Sequence, residues 1–358
     1  TGESITNQVT TTINDIITQI IPISEERELY KTILSTAIEG RSLEKFIVEC
    51  GFGRNGKGLI GDLFLKSLGS YGFVANNSIL FETNKTGSNP EKANMHKKRL
   101  IIFREPPAKN KFENSVIKEL TGGGKFSARS HHENSTEKDL HCTIICECNK
   151  RPLFSEEPTH ADVGRLIDIY FRSTFTDDKD LLNEEYHYKA NKEYKTDDFQ
   201  DKHKRALLKI IMDAHKIYTK NNYDFIIPES IKKRTSEYLE MSCIILQWLK
   251  DNYCLSEDKN EKLKIKLIFN KFKNSEYYEH LTKMEKRKYN YKYFADYFST
   301  NIATKKYYKN TTNDKNILLG WKIKDITNEM NEYSVTLSDN ESNDDPLDYE
   351  IKNKLNFN

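Results

Sequence analysis

Residues 51–58 read GFGRNGKG, and whether they grip a phosphate or merely turn the chain decides the fold. The nucleotide loop G-x-x-x-x-G-K-[ST] is matched everywhere but at its last position, where Gly58 replaces the hydroxyl residue. The run before it, LEKFIVEC from Leu43 to Cys50, has the β-branched and aromatic content of a strand, and the run after it places Leu59, Ile60, Leu63, Phe64 and Leu68 on one helical face. Strand, glycine loop, helix is the order a phosphate site requires, because backbone N–H groups turn inward and the helix N-terminus adds partial positive charge. Gly51, Gly53 and Gly56 are expected to make the turn and Lys57 to hold a γ-phosphate, with Phe52, Arg54, Asn55, Gly58 and Leu59 completing the nucleotide contacts. The rival reading is a glycine turn selected for close packing alone.

Downstream residues weigh against that rival. A second apolar strand, RLIIF at Arg99 to Phe103, runs into Arg104-Glu105-Pro106-Pro107 and puts a carboxylate at the strand edge where ligands of open α/β sheets gather. Glu105 is therefore the candidate to polarise an attacking water, against the plainer reading of a solvated strand-end acid. A third strand, CTIICEC at Cys142 to Cys148, ends in Asn149, whose amide is placed to orient the same water. A fourth, RLIDIYF at Arg165 to Phe171, follows Gly164, and its arginine is a candidate to neutralise transition-state charge in a neighbouring subunit's site. The fold class expected is α/β with a P-loop core.

Residues 9–39 carry apolar positions at helical spacing, broken at Ile21-Pro22 and re-entered at Ser24, which predicts a helical N-terminal segment over 1–43. The core is expected over 44–178, a helical connector over 179–235 including an amphipathic helix at Ala206 to Tyr218, and a basic domain over 236–337 that opens with one helix at Ser236 to Tyr253. That domain's runs KLKIKLIFNKFK and KMEKRKYNYKYF interleave Lys and Arg with Tyr and Phe, so Lys264, Lys266, Lys271, Lys273, Lys286, Arg287 and Lys288 are candidates for nucleic-acid contact. The final stretch, 338–358, is acidic and poor in apolar residues, as disordered tails are.

Bulk composition excludes little more. Lys and Arg number 56 against 54 Asp and Glu, a net charge of +2 that names no partner, and no stretch approaches the ~20 apolar residues of a spanning helix. Six cysteines match no disulfide framework, which predicts a reducing, intracellular compartment. Cys142, Cys146 and Cys148 alternate onto one strand face, unlike the paired turns of zinc sites, so core packing is expected rather than a structural zinc. The opening Thr1-Gly2 without Met predicts a piece of something longer.

Taken together, GFGRNGKG (51–58), KKRLIIFREP (97–106), LTGGGKFSAR (120–129), TIICECNKRP (143–152) and GRLIDIYFRSTF (164–175) resemble the motifs of the superfamily 3 helicases, specifically the poxvirus-type primase-helicases of large DNA viruses. The resemblance covers about Glu44 to Phe175. It implies an AAA+-like ATPase that forms a homo-hexameric ring, hydrolyses ATP with Mg²⁺ at subunit interfaces and pulls single-stranded DNA in the 3′ to 5′ direction. A primase domain upstream, a winged-helix-like C-terminal domain and a viral replication factory in the host cytoplasm are implied with it. Lys57 would be the phosphate lysine, Glu105 the acid serving water and Mg²⁺, Asn149 the sensor and Arg165 the finger presented to a neighbour. The hairpin between Glu105 and Asn149 would touch DNA through Lys125, Arg129, His131, His132 and Lys138.

Two departures qualify the match. Gly58 lacks the hydroxyl that ligates Mg²⁺, and Arg104 stands where a carboxylate is expected. Either Glu105 serves both metal and water, or Asp62 or another acid helps. Two rival functions follow: an ATPase-weak, DNA-tethering scaffold, and a P-loop phosphotransferase acting on a small molecule.

Overall fold

The computed structural model describes residues 2–81, 90–123, 125–128, 136–301 and 303–324. It divides into two compact units, Thr1–Cys243 and Ile244–Asn358. The first unit opens with α1 (Gly2–Ile20) and α2 (Ser24–Glu39), then β1 (Phe46–Cys50), α3 (Lys57–Leu68), β2 (Gly72–Ala75), α4 (Pro90–Ala93) and β3 (Leu100–Arg104). It continues with α5 (Asn114–Thr121), β4 (Lys125–Ala128), β5 (Thr136–Asp139), β6 (Thr143–Cys148), α6 (His160–Arg165) and β7 (Leu166–Tyr170). It closes with β8 (Thr174–Thr176), β9 (His187–Lys189), α7 (Asp197–Lys220) and α8 (Glu229–Met241).

Five of these strands form one parallel sheet in the order β2-β3-β6-β1-β7. The strand feeding the glycine loop is thus flanked by β6 and β7, and β3 lies one strand further out. All five residues of β1 and all six of β6 are buried, as expected for parallel strands covered on both faces. The pleat nonetheless sorts them. Ile47, Ile102, Ile145, Ile167 and Ile169 join Ile13, Ile17, Ile33, Phe64, Leu207 and Ile211 from α1, α2, α3 and α7 in one apolar cluster. Phe46, Val48, Cys50, Phe103, Ile144, Cys146 and Cys148 join Val116 of α5 and Tyr238 of α8 in the other. Each face follows from the two-residue period of a strand. Cys142 packs in the second cluster too.

Three expectations about elements change. The stretch 179–235 is no connector: α7 lays Leu207 and Ile211, both fully buried, into the same cluster as α1, α2 and α3. Its amphipathic face is core. The single helix expected from Ser236 to Tyr253 is two, α8 and α9 (Ile244–Asn252), because the buried Tyr238 donates its hydroxyl to Pro152 O at 2.6 Å and ties α8 to the first unit. The division between units accordingly falls after Cys243, not at 236.

The second unit continues from α9 through β10 (Tyr253–Leu255), β11 (Lys262–Lys264), α10 (Ile265–Lys273), α11 (Glu276–Glu279), α12 (Lys283–Lys288) and α13 (Tyr291–Thr300). It ends in β12 (Tyr308–Lys309), β13 (Ile317–Leu319) and β14 (Trp321–Ile323), with β11-β13-β12 as one antiparallel sheet and β10-β14 as another. Its aromatic residues sort sharply. Trp248, Phe272, Phe294 and Phe298 are buried and pack edge-on or tilted against their neighbours, which makes them core rather than stacking platforms. Lys264, Lys266, Lys271, Lys273, Arg287 and Lys288 are exposed, while Lys286 is half-buried with its Nζ donating to Glu279 O at 3.0 Å. The expected tail, 338–358, lies outside the described residues.

Candidate functional site

The glycine loop leaves β1 at the carboxyl end of the sheet and enters α3 at Lys57. Gly56 takes the left-handed conformation, φ 84°, which glycine adopts at no steric cost. A Cβ there would fall 2.6 Å from Ile20 Cγ1 of α1. Gly51 is required for a different reason: a Cβ would approach Phe171 O to 2.4 Å. Gly53 meets neither demand, since a Cβ there has no atom within 4 Å, so the turn rests on Gly51 and Gly56. Arg54, φ 65°, supplies the other left-handed residue of the loop. Asn55 is buried and accepts the Lys57 N–H at 3.2 Å through Oδ1, which braces the loop from within.

Lys57 is buried, with its Nζ directed across the loop. It donates to Asn149 Oδ1 at 2.6 Å and to Gly51 O at 3.3 Å, and lies 3.4 Å from Glu105 Oε1. The three residues singled out from three separate motifs therefore meet at one point. Glu105 is held by a strained backbone, φ 47°, with its N–H bonded to Glu147 O at 2.8 Å. Left-handed non-glycine residues of this kind concentrate at functional sites.

Arg165 stands elsewhere. It ends α6 immediately before Leu166, which pairs with Phe46 at the start of β1, so it occupies the amino end of the sheet. A strand of five residues separates the two ends by about 16 Å. Arg165 is thus not brought to the pocket of its own chain. The hairpin between Glu105 and Asn149 is formed by β4 and β5, antiparallel with Phe126 opposite Lys138. Arg129, His131 and His132 lie outside the described residues, and of Lys125 and Lys138 only the strand positions are described.

Other residues of the site carried no sequence signal. A cavity of about 950 Å³ joins Gly53 to Leu59, Asp62, Glu105 and Asn149 to Ile16 and Ile20 of α1, and to Phe175, Asn191, Tyr194 and Gln200 from the β8 to α7 region. These segments are far apart in sequence, and only the packing of α1 and α7 brings them to the loop. A row of charge crosses the sheet beneath α3. Arg104, Glu147 and Glu49 are successive register partners on β3, β6 and β1. Burial, then the neighbouring Glu147 carboxylate, pushes Glu49 far above the carboxylate range, against a Tyr30 hydrogen bond and the charges of Lys57 and Arg104. Burial likewise raises Glu147, against the pull of Arg104. Arg104 also reaches Asp62 Oδ1 at 2.6 Å.

Among the described residues, no three His, Cys, Asp or Glu side chains converge as a metal cage. Mg²⁺ usually takes one or two carboxylates and completes its shell with phosphate and water. The residues present fit: Glu105, Asp62 and Glu147 offer hard oxygen donors beside the loop.

A parallel α/β sheet with a glycine loop and a buried lysine at its carboxyl edge defines the class, an α/β core of the nucleotide-binding type. Comparison with known proteins narrows it. Residues 50–165 match a family described as of unknown function, DUF5906. Fowlpox virus "Primase D5" is 29% identical over 182 residues, which are 49% of this chain and 23% of that protein. The Acanthamoeba polyphaga mimivirus "Putative helicase L207/L206" is 26% identical over 270 residues, 70% of this chain and 26% of its own. Vaccinia virus "Uncoating factor OPG117" is 30% identical over 184 residues, 45% and 22% of the two chains. The matched segments thus span about a quarter of these curated relatives. Among solved structures, the NrS-1 C-terminal region (305–718) aligns with a TM-score of 0.47 at 14% identity, over 78% of this chain and 61% of that one. The chain is thus similar to replication-related proteins of large DNA viruses, consistent with a viral primase-helicase.

Proposed function

We propose that this chain is an ATP-driven DNA helicase motor of a viral primase-helicase, acting as a homo-hexamer at a replication site inside the host cell. The observation that carries the reading is the meeting of Lys57, Glu105 and Asn149 within 3.4 Å of the Lys57 ammonium at the carboxyl edge of the sheet. The loop amides and Lys57 would take the phosphates. Ile16, Ile20, Phe175 and Tyr194 offer the apolar walls that a nucleobase needs. Glu105 would accept the proton of a water attacking the γ-phosphorus, Asn149 would orient that water, and the bond to the bridging oxygen would break to release ADP. Mg²⁺, when bound, would offset charge on the β and γ oxygens.

The position of Arg165 supports a ring. An arginine at the opposite end of the sheet serves hydrolysis only in a neighbour's pocket, where such a group is worth about 10³ to 10⁵ in rate. The sheet order β2-β3-β6-β1-β7 supports the AAA+-like assignment, with the water-polarising and sensor strands side by side. In the second unit, α9, β11, the helices α10 to α13 and the β12–β13 hairpin run in the order of a winged helix, with β10 and β14 as an added pair. DNA contact through the hairpin of β4 and β5, and 3′ to 5′ polarity, rest on the family resemblance.

The test is hydrolysis with and without single-stranded DNA. Wild type is expected to turn over ATP faster with DNA present, and Lys57→Ala to lose at least about 100-fold, as loss of a charged phosphate contact in a desolvated pocket does. DNA binding with strong salt dependence, but with equal and negligible hydrolysis in both proteins, would establish the tethering scaffold instead.

A further inference from the structure

The carboxylate missing from position 104 has a counterpart one strand away. Arg104 of β3 and Glu147 of β6 are register partners, so they project from the same face of the sheet at the same height. Arg104 Nε lies 3.3 Å from Glu147 Oε2, and Nη2 lies 2.6 Å from Asp62 Oδ1, which sets one guanidinium between two acids. Only Oε2 of Glu147 meets Arg104, and as an ion pair, since Arg104 Nε makes no hydrogen bond among the described residues. Glu147 Oε1 is buried and has no hydrogen-bond partner among the described residues, a condition that buried carboxylate oxygens rarely tolerate without an unseen partner.

Glu147 lines the same cavity as Lys57, Gly58, Asp62, Glu105 and Asn149. Its Oε1 packs against Gly61 of α3, where a Cβ would stand 2.4 Å from Oε1 and 3.5 Å from Arg104 Nη2. Gly58 lies three residues before Gly61 and four before Asp62, on one face of α3. At Gly58 itself a Cβ would meet nothing within 4 Å. The place where a hydroxyl normally stands is therefore open, and Asp62 and Glu147 line the same cavity.

On the reading that the loop binds a nucleoside triphosphate, we propose that Glu147, admitted by Gly61 and clamped by Arg104, is the carboxylate that anchors the divalent cation carried by that nucleotide. It replaces both absent features, the hydroxyl at 58 and the acid at 104.

The test measures binding of a fluorescent ATP analogue to the full chain, first in EDTA and then across a Mn²⁺ titration. Wild type should bind in EDTA and tighten with metal. Glu147→Gln should bind equally in EDTA but need at least about tenfold more Mn²⁺ for half of the tightening, the scale of loss typical of residues that hold a metal in place. Gly61→Ala, which drives a methyl group toward Oε1 while favouring the helix, should shift the metal requirement the same way. Arg104→Asp added to Glu147→Gln should restore it, by returning the acid to its usual strand. An unchanged Mn²⁺ requirement in Glu147→Gln, with binding in EDTA intact, overturns this proposal alone. Absence of analogue binding by wild type under both conditions overturns the nucleotide reading and this proposal with it.

Discussion

At the scale of single residues, two positions make opposite demands on physics. Gly56 is needed for its missing side chain: φ 84° and a 2.6 Å approach to Ile20 leave no room for a methyl group. Gly56→Ala should cost about 1–3 kcal/mol, the range for a strained left-handed residue, and should weaken nucleotide binding further, as read by chemical denaturation with and without ATP. Asp168 on β7 is drawn two ways, toward the charged form by its arginine partners and toward the neutral form by burial. Its Oδ1 accepts from Arg151 Nε at 3.1 Å and its Oδ2 lies 2.6 Å from Nη2, yet burial raises its pKa to about 6, against the pull of Arg151 and Arg234. The folded state thus holds this proton more tightly than the unfolded chain, whose value is 3.8. Stability from this group is complete below the unfolded value and drains away as pH climbs to about 6. Asp168→Asn should therefore gain on wild type between pH 4 and pH 7 by up to about 3 kcal/mol, and no further above that. Parallel urea titrations across that range would show it, and a constant gap between the two proteins would refute it.

At the scale of elements, the helical layer over the sheet is fastened by one buried acid. Glu26 of α2 is almost wholly buried and receives Arg172 Nη2 at 3.0 and 2.7 Å and Ser230 Oγ at 2.8 Å. It joins α2, the segment after β7 and the start of α8. Removing one partner of a buried ion pair strands the other, so Glu26→Ala should cost about 3–5 kcal/mol in thermal or denaturant unfolding. A loss below about 1 kcal/mol would mean that Arg172 finds water instead. The same layer carries the cavity wall, since Ile16 and Ile20 belong to α1, and α7 packs beside it. Neither helix was legible as part of the site, because amphipathic spacing tells which face is buried and not what it is buried against.

At the scale of the whole molecule, the two ends of the sheet carry different parts of one proposed reaction. Lys57, Glu105 and Asn149 sit at the carboxyl end, and Arg165 ends α6 just before the edge strand β7 at the amino end. If hydrolysis joins the two ends across a subunit interface, Arg165→Ala and Lys57→Ala are each inactive alone. Mixed in equal amounts, they should recover a measurable fraction of wild-type ATPase, because some interfaces pair an intact loop with an intact arginine. Mixed rings that assemble without recovering activity would place Arg165 in a structural role.

The strand, loop and helix around GFGRNGKG, the three later strands and the break at Pro22 were legible from the sequence, because each is written in local spacing and in what glycine and proline do to a backbone. So were Lys57, Glu105 and Asn149, which stand at the ends of apolar runs where a parallel sheet presents its ligands. The order of strands across the sheet, the pairing of Arg104 with Glu147 and Glu49, the walls of the cavity and the division after Cys243 came only with the tertiary structure. Local periodicity tells which way a side chain faces; which neighbour it meets is chosen by packing between segments distant in the chain.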